Sequence, residues 1–220
     1  MTFLFLAVII LTVTGGANRS LPPRPLYQME GADKTVLFTF NILWDVEEEL
    51  EAVLTYLQAH KIEAVFFVTG EWVKMFPESA IKILEHEQHL GNRSVSHRRL
   101  ILLTEEEIAA EIKGFNQICQ EMPGYAYTPS FFRPPHGEYN SRIVRLAKEA
   151  DCLTLLWSIN ARTMTDQQPA FIINHLEERL HPGAIILFHL SPGVARSLPL
   201  LVDFLTWKGY TIGSPRQLLR

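Results

Sequence analysis

Short apolar runs alternate along this chain with longer stretches in which apolar residues recur at helical spacing. The runs predict strands at residues 35–40, 64–68, 89–92, 131–133, 153–157 and 184–189. The longer stretches predict helices at residues 46–59, 71–86, 104–121, 141–150, 169–180 and 197–208. Strands that alternate with helices in this way are typical of β-α units arranged around a parallel sheet or barrel.

Two of the predicted helices begin with residues that cap a helix. Thr104 is followed three residues later by Glu107, which is the spacing of a capping box, and Asn140 precedes a helix that starts at Ser141. Six or seven β-α units in 220 residues favour a closed or nearly closed barrel over an open sheet, although periodicity alone does not separate the two. One hydrophobic core serves a chain of this length, so we expect a single α/β domain.

The composition excludes several classes of protein. With 47% hydrophobic and 20% charged residues, the chain is folded and globular rather than disordered. The net charge of −4 provides no basic field for a phosphate backbone, so we expect no nucleic-acid partner. Cys119 and Cys152 lack the spacing of a zinc site and exclude a disulfide framework, although a single bridge between them stays open.

The N-terminal pattern is that of a targeting segment. Residues 3–13 are apolar apart from Thr12, and Gly15 and Ala17 fit a signal-peptidase site, although no Lys or Arg precedes the run. We expect residues 1–17 to be a signal peptide or N-terminal anchor, with a buried first strand as the alternative. Residues 18–32 then form a proline-rich linker and residues 33–220 the domain. The N-terminal pattern therefore predicts a secreted or cell-surface protein, with no membrane span beyond such an anchor.

Polar side chains stand where the predicted strands end. In an α/β barrel, functional groups collect at the carboxyl ends of the strands. Five of these ends carry His, Arg or Asn, and the residues are Asn41, Arg93, His97, Arg133, His136, Asn160 and His189. Any one of them alone marks only a strand exit, but together they indicate a polar site at one end of the barrel.

Four sequence fragments in a fixed order resemble the polysaccharide deacetylase family, whose NodB homology domain is also called carbohydrate esterase family 4. They are A-V-F-F-V-T-G at 64–70, G-N-x-S-x-S-H at 91–97, F-R-P-P-x-G at 132–137 and G-A-I-I-L-F-H at 183–189. The resemblance covers residues 35–210. It implies a distorted (β/α) barrel of the NodB type, and metal-assisted removal of acetyl groups from a polysaccharide or cell-wall glycan.

The same resemblance identifies catalytic groups that this chain lacks. In the family the first strand ends T-F-D-D-G, where the first Asp is the base and the second a metal ligand, and an H-x-x-x-H pair supplies two further ligands. Here those positions hold Asn41, Ile42, Arg93 and His97. An amide takes no proton near neutral pH, isoleucine has no lone pair and arginine is a permanent cation. Only His97 matches a metal ligand, so we expect no bound cofactor.

Other matched positions have lost their carboxylates as well. Arg133 matches the arginine that orients the base, and His189 matches the general-acid histidine. Asn160 stands where the family has an Asp that raises the basicity of that histidine, and Leu190 replaces an Asp that often follows it. A further Asp-Trp pair of the family corresponds to residues 163–164, Thr and Met. The resemblance thus implies an acid without its supporting charges.

We therefore expect a catalytically impaired pseudoenzyme that binds a glycan or an anion, the anion being held by Arg93 and Arg133. The residues expected to line its binding surface are Trp44, Trp72, Trp157, Pro134 and Pro135, with packing as the alternative role of the tryptophans. One alternative function is an active carbohydrate deacetylase whose zinc site is rearranged to use His97, His189 and Asp45. Another is a structural barrel without affinity for sugars. The sequence leaves the glycan and the oligomeric state open.

Overall fold

The computed structural model describes residues 23–44, 47–161 and 168–219. Within them, eight strands alternate with seven α-helices. The strands are β1 (Thr35–Asn41), β2 (Ala64–Val68), β3 (His89–Asn92), β4 (Phe131–Phe132), β5 (Leu153–Thr154), β6 (Ile159–Asn160), β7 (Ile185–His189) and β8 (Thr211–Ile212). The helices are α1 (Glu47–Ala59), α2 (Gly70–Met75), α3 (Pro77–Glu85), α4 (Glu105–Gln120), α5 (Ser141–Glu149), α6 (Pro169–Glu177) and α7 (Pro192–Trp207).

The strands form one parallel, curled sheet. Its order is β5-β4-β3-β2-β1-β7-β6, and β8 pairs with the start of β1. Residues 155–158 join β5 and β6, which stand at opposite ends of this order. On this connection the Leu155 N–H donates to Phe132 and the Ser158 N–H donates to Ile185. The sheet therefore curls back on itself as a distorted barrel, which confirms the predicted fold.

Side chains of β1 alternate between two buried layers. Phe38 and Phe40 pack between the sheet and its helices, whereas Leu37 packs in the barrel interior with residues of β2, β4 and β7. Burying one such side chain contributes about 1.5–3 kcal/mol. The period of two places Thr39 and Asn41 on the same face as Leu37. The last residue of β1 therefore points into the carboxyl end of the barrel interior.

Several element boundaries differ from the prediction for identifiable reasons. The helix predicted at 71–86 is two helices, because Pro77 begins α3 and has no N–H with which to continue α2. Helix α7 begins before residue 197, since the Ser191 hydroxyl accepts the Val194 N–H and caps it. The strand predicted at 153–157 stops at 154, where the chain leaves the β5 edge. The caps predicted at Thr104 and Asn140 are confirmed.

The chain joins the barrel within the segment expected to be a linker. The Leu26 N–H donates to Thr154 at 2.9 Å, and the Met29 N–H donates to Gly183 at 2.8 Å. Residues 1–22, which include the expected targeting segment, lie outside the described residues. Among the helices of the described ranges, none combines the length and apolarity needed to cross a bilayer.

Both cysteines are core residues. Cys119 and Cys152 are buried free thiols, so the bridge that the sequence left open is not formed in this structure. Burial raises the pKa of Cys119 to about 12 and that of Cys152 to about 11. The Cys152 thiol donates to the Pro129 carbonyl at 3.2 Å, which satisfies it within the core.

Candidate functional site

The carboxyl ends of β1, β4 and β7 bring three predicted site residues into one row. Arg133, directly after β4, is completely buried, and its Nη1 donates to Asn41 Oδ1 at 3.1 Å. The Asn41 Nδ2 lies 3.4 Å from Nε2 of His189, the last residue of β7. Because Asn41 Oδ1 accepts from Arg133, its amide nitrogen faces the imidazole and donates to it. The three side chains are therefore linked across the barrel interior.

Arg133 is satisfied by neutral groups. Its Nε donates to Leu155 O at 3.0 Å, and its Nη2 donates to Thr39 Oγ1 at 3.0 Å and to Leu156 O at 2.9 Å. The guanidinium carbon lies 4.0 Å from the centre of the Phe67 ring and 5.4 Å from that of Trp157, which are cation–π distances. The positive charge is thus spread over carbonyl, hydroxyl and amide oxygens and over aromatic faces rather than held by a carboxylate.

Arg93 and His97 lie on a firmly anchored loop after β3. Glu111, a buried carboxylate on α4, accepts the backbone N–H groups of Val95 and Ser96, each at 3.0 Å. It also accepts the Ser96 hydroxyl at 2.6 Å. His97 itself has a positive φ of 58°, a conformation that needs such support in a residue other than glycine. The backbone that carries Arg93 and His97 is therefore held in place.

Burial and the charge of Arg93 together shape the electrostatics of the site. Arg93 is 5% exposed, and its Nε and Nη1 have no hydrogen-bond partner within the described residues. Burial lowers its pKa to about 10, which leaves it charged near neutral pH. Burial, Arg93 and His136 lower the pKa of His97 to about 4, and burial, Arg93 and Arg133 lower that of His189 to about 4. Two neutral imidazoles therefore accompany two cations.

Two positions matched to family carboxylates face away from this polar row. Ile42 and Leu190 are 1% and 2% exposed and pack in the apolar layer between the sheet and the helices. Asn160 ends β6, and its carbonyl accepts from His175 Nε2 at 2.9 Å. Residues 163–164 and Asp45, the carboxylate of the rearranged-site alternative, lie outside the described residues.

The residues expected to form a sugar-binding wall are not equally accessible. Trp72 is 6% exposed and its Nε1 donates to the Trp44 carbonyl at 3.2 Å, so it is a packing residue and unavailable to a sugar. Trp44 is 45% exposed and Trp157 is half-buried. Pro134 and Pro135 are buried and shape the turn after β4. Trp44 and Trp157 are the two of these tryptophans whose side chains are in contact with solvent.

The side chains at the site do not fit a divalent metal. The ring centre of His97 lies 4.7 Å from that of His136, which provides two imidazoles. In the ranges that the structure describes, no three His, Cys, Asp or Glu side chains cluster so that they could hold an ion. Arg93 places a permanent positive charge near His97. This charge repels a metal ion at a position where a metal site needs a coordinating side chain.

Comparison with known proteins identifies the family. The profile of the family described as polysaccharide deacetylase matches residues 28–154, more than half of the chain. The chain belongs to the polysaccharide deacetylase family. The matched residues include β1 to β5 and therefore Asn41, Arg93, His97 and Arg133. The resemblance read from the four fragments is thus confirmed.

This polysaccharide deacetylase family member has relatives among curated proteins. It is 30% identical over 200 residues to the uncharacterized protein YlxY of Bacillus subtilis, which covers 91% of this chain and 62% of YlxY. It is 30% identical over 141 residues to a peptidoglycan-N-acetylglucosamine deacetylase of Bacillus cereus, covering 64% of this chain and 50% of that protein. The chain spans half to just under two thirds of the length of these two relatives.

A solved structure resembles this family member over most of its length. BA3943, a CE4 family pseudoenzyme from Bacillus anthracis, superposes with a TM-score of 0.85 at 28% identity, covering 91% of this chain and 70% of BA3943. A BA3943 mutant with restored enzymatic activity gives the same TM-score of 0.85. The structural relatives of this chain therefore include a family member that is itself a pseudoenzyme.

Two supporting residues escape prediction from the sequence. Glu111 is one of several glutamates in α4, and nothing in its spacing distinguishes the one that is buried under the Arg93 loop. Asn92 lies in the G-N-x-S-x-S-H fragment, where its Oδ1 accepts the Ser94 N–H at 2.8 Å and its Nδ2 donates to Ile112 O at 2.9 Å. The fragment marks Asn92 as a residue of the family pattern, but it does not reveal that the side chain anchors the loop.

Proposed function

We propose that this family member binds a cell-wall glycan at the carboxyl end of its barrel and does not hydrolyse it with a metal. The observation that carries the proposal is Arg93, a buried guanidinium at the position of a metal-binding histidine. A guanidinium about 5 Å from a divalent ion repels it by about 6 kcal/mol at an effective dielectric of about 20. This repulsion lowers metal affinity by about four powers of ten.

The position of the general base supports the same conclusion. Asn41 offers an amide whose oxygen accepts from Arg133 and whose nitrogen faces His189. A base must accept a proton from the attacking water, and an amide does not do so near neutral pH. Water at this site therefore lacks both the metal that would acidify it and the carboxylate that would deprotonate it.

The position of the general acid supports it further. A leaving amine needs a group that is protonated near the working pH. Burial and the charges of Arg93 and Arg133 lower the pKa of His189 to about 4, so its imidazole is neutral near pH 7. In that state Nε2 accepts from Asn41, and no proton is ready at that atom for the amine.

The glycan class comes from the relatives. One is a peptidoglycan-N-acetylglucosamine deacetylase, and a structural relative is a CE4 pseudoenzyme. Peptidoglycan or a similar hexosamine polymer is therefore the proposed ligand, met at the cell surface or outside the cell. Trp44 and Trp157 are the rings on which its sugar faces stack.

Cosedimentation with insoluble peptidoglycan, together with acetate release in the presence of added zinc, tests the proposal. We expect saturable binding without acetate above the level of a heat-denatured sample. Trp157→Ala reduces binding, whereas Trp207→Ala, which removes a 77% exposed ring at the end of α7, leaves it unchanged. Steady, chelator-sensitive acetate release would support the rearranged deacetylase instead, and absence of binding would support a purely structural barrel.

A further inference from the structure

The site combines two cations of unequal status. Arg133 donates from Nε, Nη1 and Nη2 to protein acceptors. Arg93 is nearly as buried, at 5% exposure, yet its Nε and Nη1 have no partner among the described residues. Buried arginines are ordinarily paired, because removing an ion from water is costly unless an opposite charge replaces the hydration. Within the described ranges neither cation faces a carboxylate, but Arg93 is the one that also lacks hydrogen-bond acceptors for Nε and Nη1.

The side chains that surround Arg93 do not supply a compensating negative charge. Arg93 and Arg133 come directly after Asn92 and Phe132, which pair between β3 and β4, and the His97 N–H donates to the Ser94 hydroxyl on the same loop as Arg93. Burial, together with the charges of Arg93 and Arg133, lowers the pKa of His189 to about 4, and burial and the charge of Arg93 lower that of His97 to about 4. The two imidazoles are neutral near pH 7, and the third neighbour, Arg133, is a cation. In the described part of the chain, Glu111 is the buried carboxylate next to this loop, and its oxygens are already occupied by Val95 and Ser96.

The backbone at Arg93 and along the loop that follows it is fixed by hydrogen bonds. Its own N–H donates to Val68 O at 3.0 Å, and the residues that follow are held by Glu111. The next residue, Ser94, has a positive φ of 62° and is fixed by Asn92. A loop that is already ordered before its ligand arrives loses less conformational entropy on binding.

We propose that Arg93 binds a single carboxylate group in the place where the family holds its metal. The inference rests on the proposed function, since a metal at this position would leave no room for the guanidinium. Asn41, Arg93 and His189 are each at most 7% exposed, so an anion that reaches Arg93 is largely shielded from water. A guanidinium matches the geometry of a carboxylate. The carboxylate is either free, like acetate, or carried by an acidic sugar.

A bound acidic sugar would extend toward the accessible side of the site. His97 is half-buried and His136 is exposed, and their rings lie 4.7 Å apart between centres. These two imidazoles lie on the loops that follow β3 and β4. A carboxylate that reaches Arg93 past them leaves the body of its sugar outside, where the exposed rings of the barrel mouth are available.

Titration of the purified protein at pH 7 and constant ionic strength tests the carboxylate site. The probes are sodium acetate, sodium glucuronate and neutral N-acetylglucosamine, with sodium chloride as the balancing salt. At about ten times the dissociation constant, acetate should raise the melting temperature by roughly 3–6 °C for a domain of this size. Arg93→Gln should abolish the shift and, without acetate, melt above the wild type because it removes an uncompensated buried charge.

Arg98→Gln is the matched control. It removes one positive charge from the same loop, but Arg98 is exposed and pairs with Glu107, so the acetate shift should persist. Glucuronate binding at least about tenfold tighter than acetate would assign the carboxylate to a sugar, and the reverse order would assign it to the free ion. A wild type without a saturable shift, or an equal shift in Arg93→Gln, overturns the site. Acetate release from peptidoglycan would separately overturn the proposed function.

Discussion

Arg133 donates a 3.1 Å hydrogen bond from Nη1 to Oδ1 of Asn41, so a completely buried cation faces an amide where the family has a carboxylate. The family base and its arginine form a charge pair, and here only the positive member is left. The row continues from Asn41 to His189, whose Nε2 lies 3.4 Å from Asn41 Nδ2, and it contains no carboxylate. Substitutions in this row should therefore change the free energy of unfolding according to the charge that they add or remove.

Asn41→Asp restores a negative partner for Arg133 and should stabilise the protein. A hydrogen bond between charged groups is about twice as strong as a neutral one, so we expect the free energy of unfolding at pH 7 to rise by about 1–2 kcal/mol. Asn41→Leu leaves Arg133 Nη1 without its acceptor and should lower it by about 1–3 kcal/mol. Urea denaturation measures both changes. A destabilising Asn41→Asp would contradict the description of Arg133 as uncompensated.

Acid should destabilise the fold through the two site imidazoles. An unfolded histidine has a pKa of about 6.5, whereas folding lowers the pKa of His97 and His189 to about 4. Between these values the unfolded chain binds more protons, so stability falls as the pH drops from about 6.5 toward 4. Melting temperatures at successive pH values should show this loss, and His189→Gln should reduce its slope. An unchanged slope in that variant would refute the assignment to His189.

The loop that carries Arg93 should depend on Glu111. Its carboxylate accepts from Val95 and Ser96, and Glu111→Gln replaces one acceptor oxygen by an amide donor. We expect a loss of about 1–3 kcal/mol in the free energy of unfolding. Glu121→Gln, at the exposed end of the same helix, should change it by less than about 0.5 kcal/mol. Equal effects of the two substitutions would show that Glu111 does not anchor the loop.

The turn after β4 holds Trp157 against Gly137. Comparing substitutions at Gly137 and Gly124 distinguishes the cost of a clash with Trp157 from the cost of a positive φ. Gly137 has a φ of +73°, and a Cβ added there would lie 2.8 Å from Cη2 of Trp157. Gly124 has a similar φ of +76° but nothing within 4 Å of an added Cβ. Gly124→Ala should cost about 1–2 kcal/mol from the left-handed backbone alone.

Gly137→Ala should cost more than Gly124→Ala, because the tryptophan must also move. Denaturation measures the difference, and tryptophan fluorescence detects the displaced indole. A cost equal to that of Gly124→Ala, with unchanged fluorescence, would show that Trp157 is not held by this contact. Such a result would also weaken the role of Trp157 as a fixed sugar-stacking ring.

The fold was predictable where burial produces long apolar runs. Strand β2 is buried at every position and matches its predicted bounds, and Thr104 caps α4 through its own side chain. The strands β6 and β8 have two residues each, and their pairing depends on β7 and β1 rather than on a local pattern. Pro77 indicates the break between α2 and α3. The helical period on both sides of it nevertheless led to the prediction of one continuous helix.

The site was predictable in its residue types but not in its burial. The loss of carboxylates at Asn41 and Arg93 can be read directly from the sequence. An arginine after a strand is ordinarily exposed. Only the tertiary structure buries Arg93, which begins the loop that Glu111 anchors. In the same way, the burial of Trp72 depends on the carbonyl of Trp44, 28 residues away in the chain. Contacts of this kind leave no periodic signal.

Calorimetric titration of the metal-free wild type with zinc, followed by an acetate assay on peptidoglycan, distinguishes a glycan-binding protein without a metal from a metal-dependent deacetylase. The variant Asn41→Asp/Ile42→Asp/Arg93→His, with its folding checked by circular dichroism, is the comparison. We predict that the triple variant takes up one equivalent of zinc, whereas the wild type shows no stoichiometric binding and releases no acetate. One tightly bound zinc per wild-type chain, together with steady acetate release, would show that the wild type is a metal-dependent deacetylase.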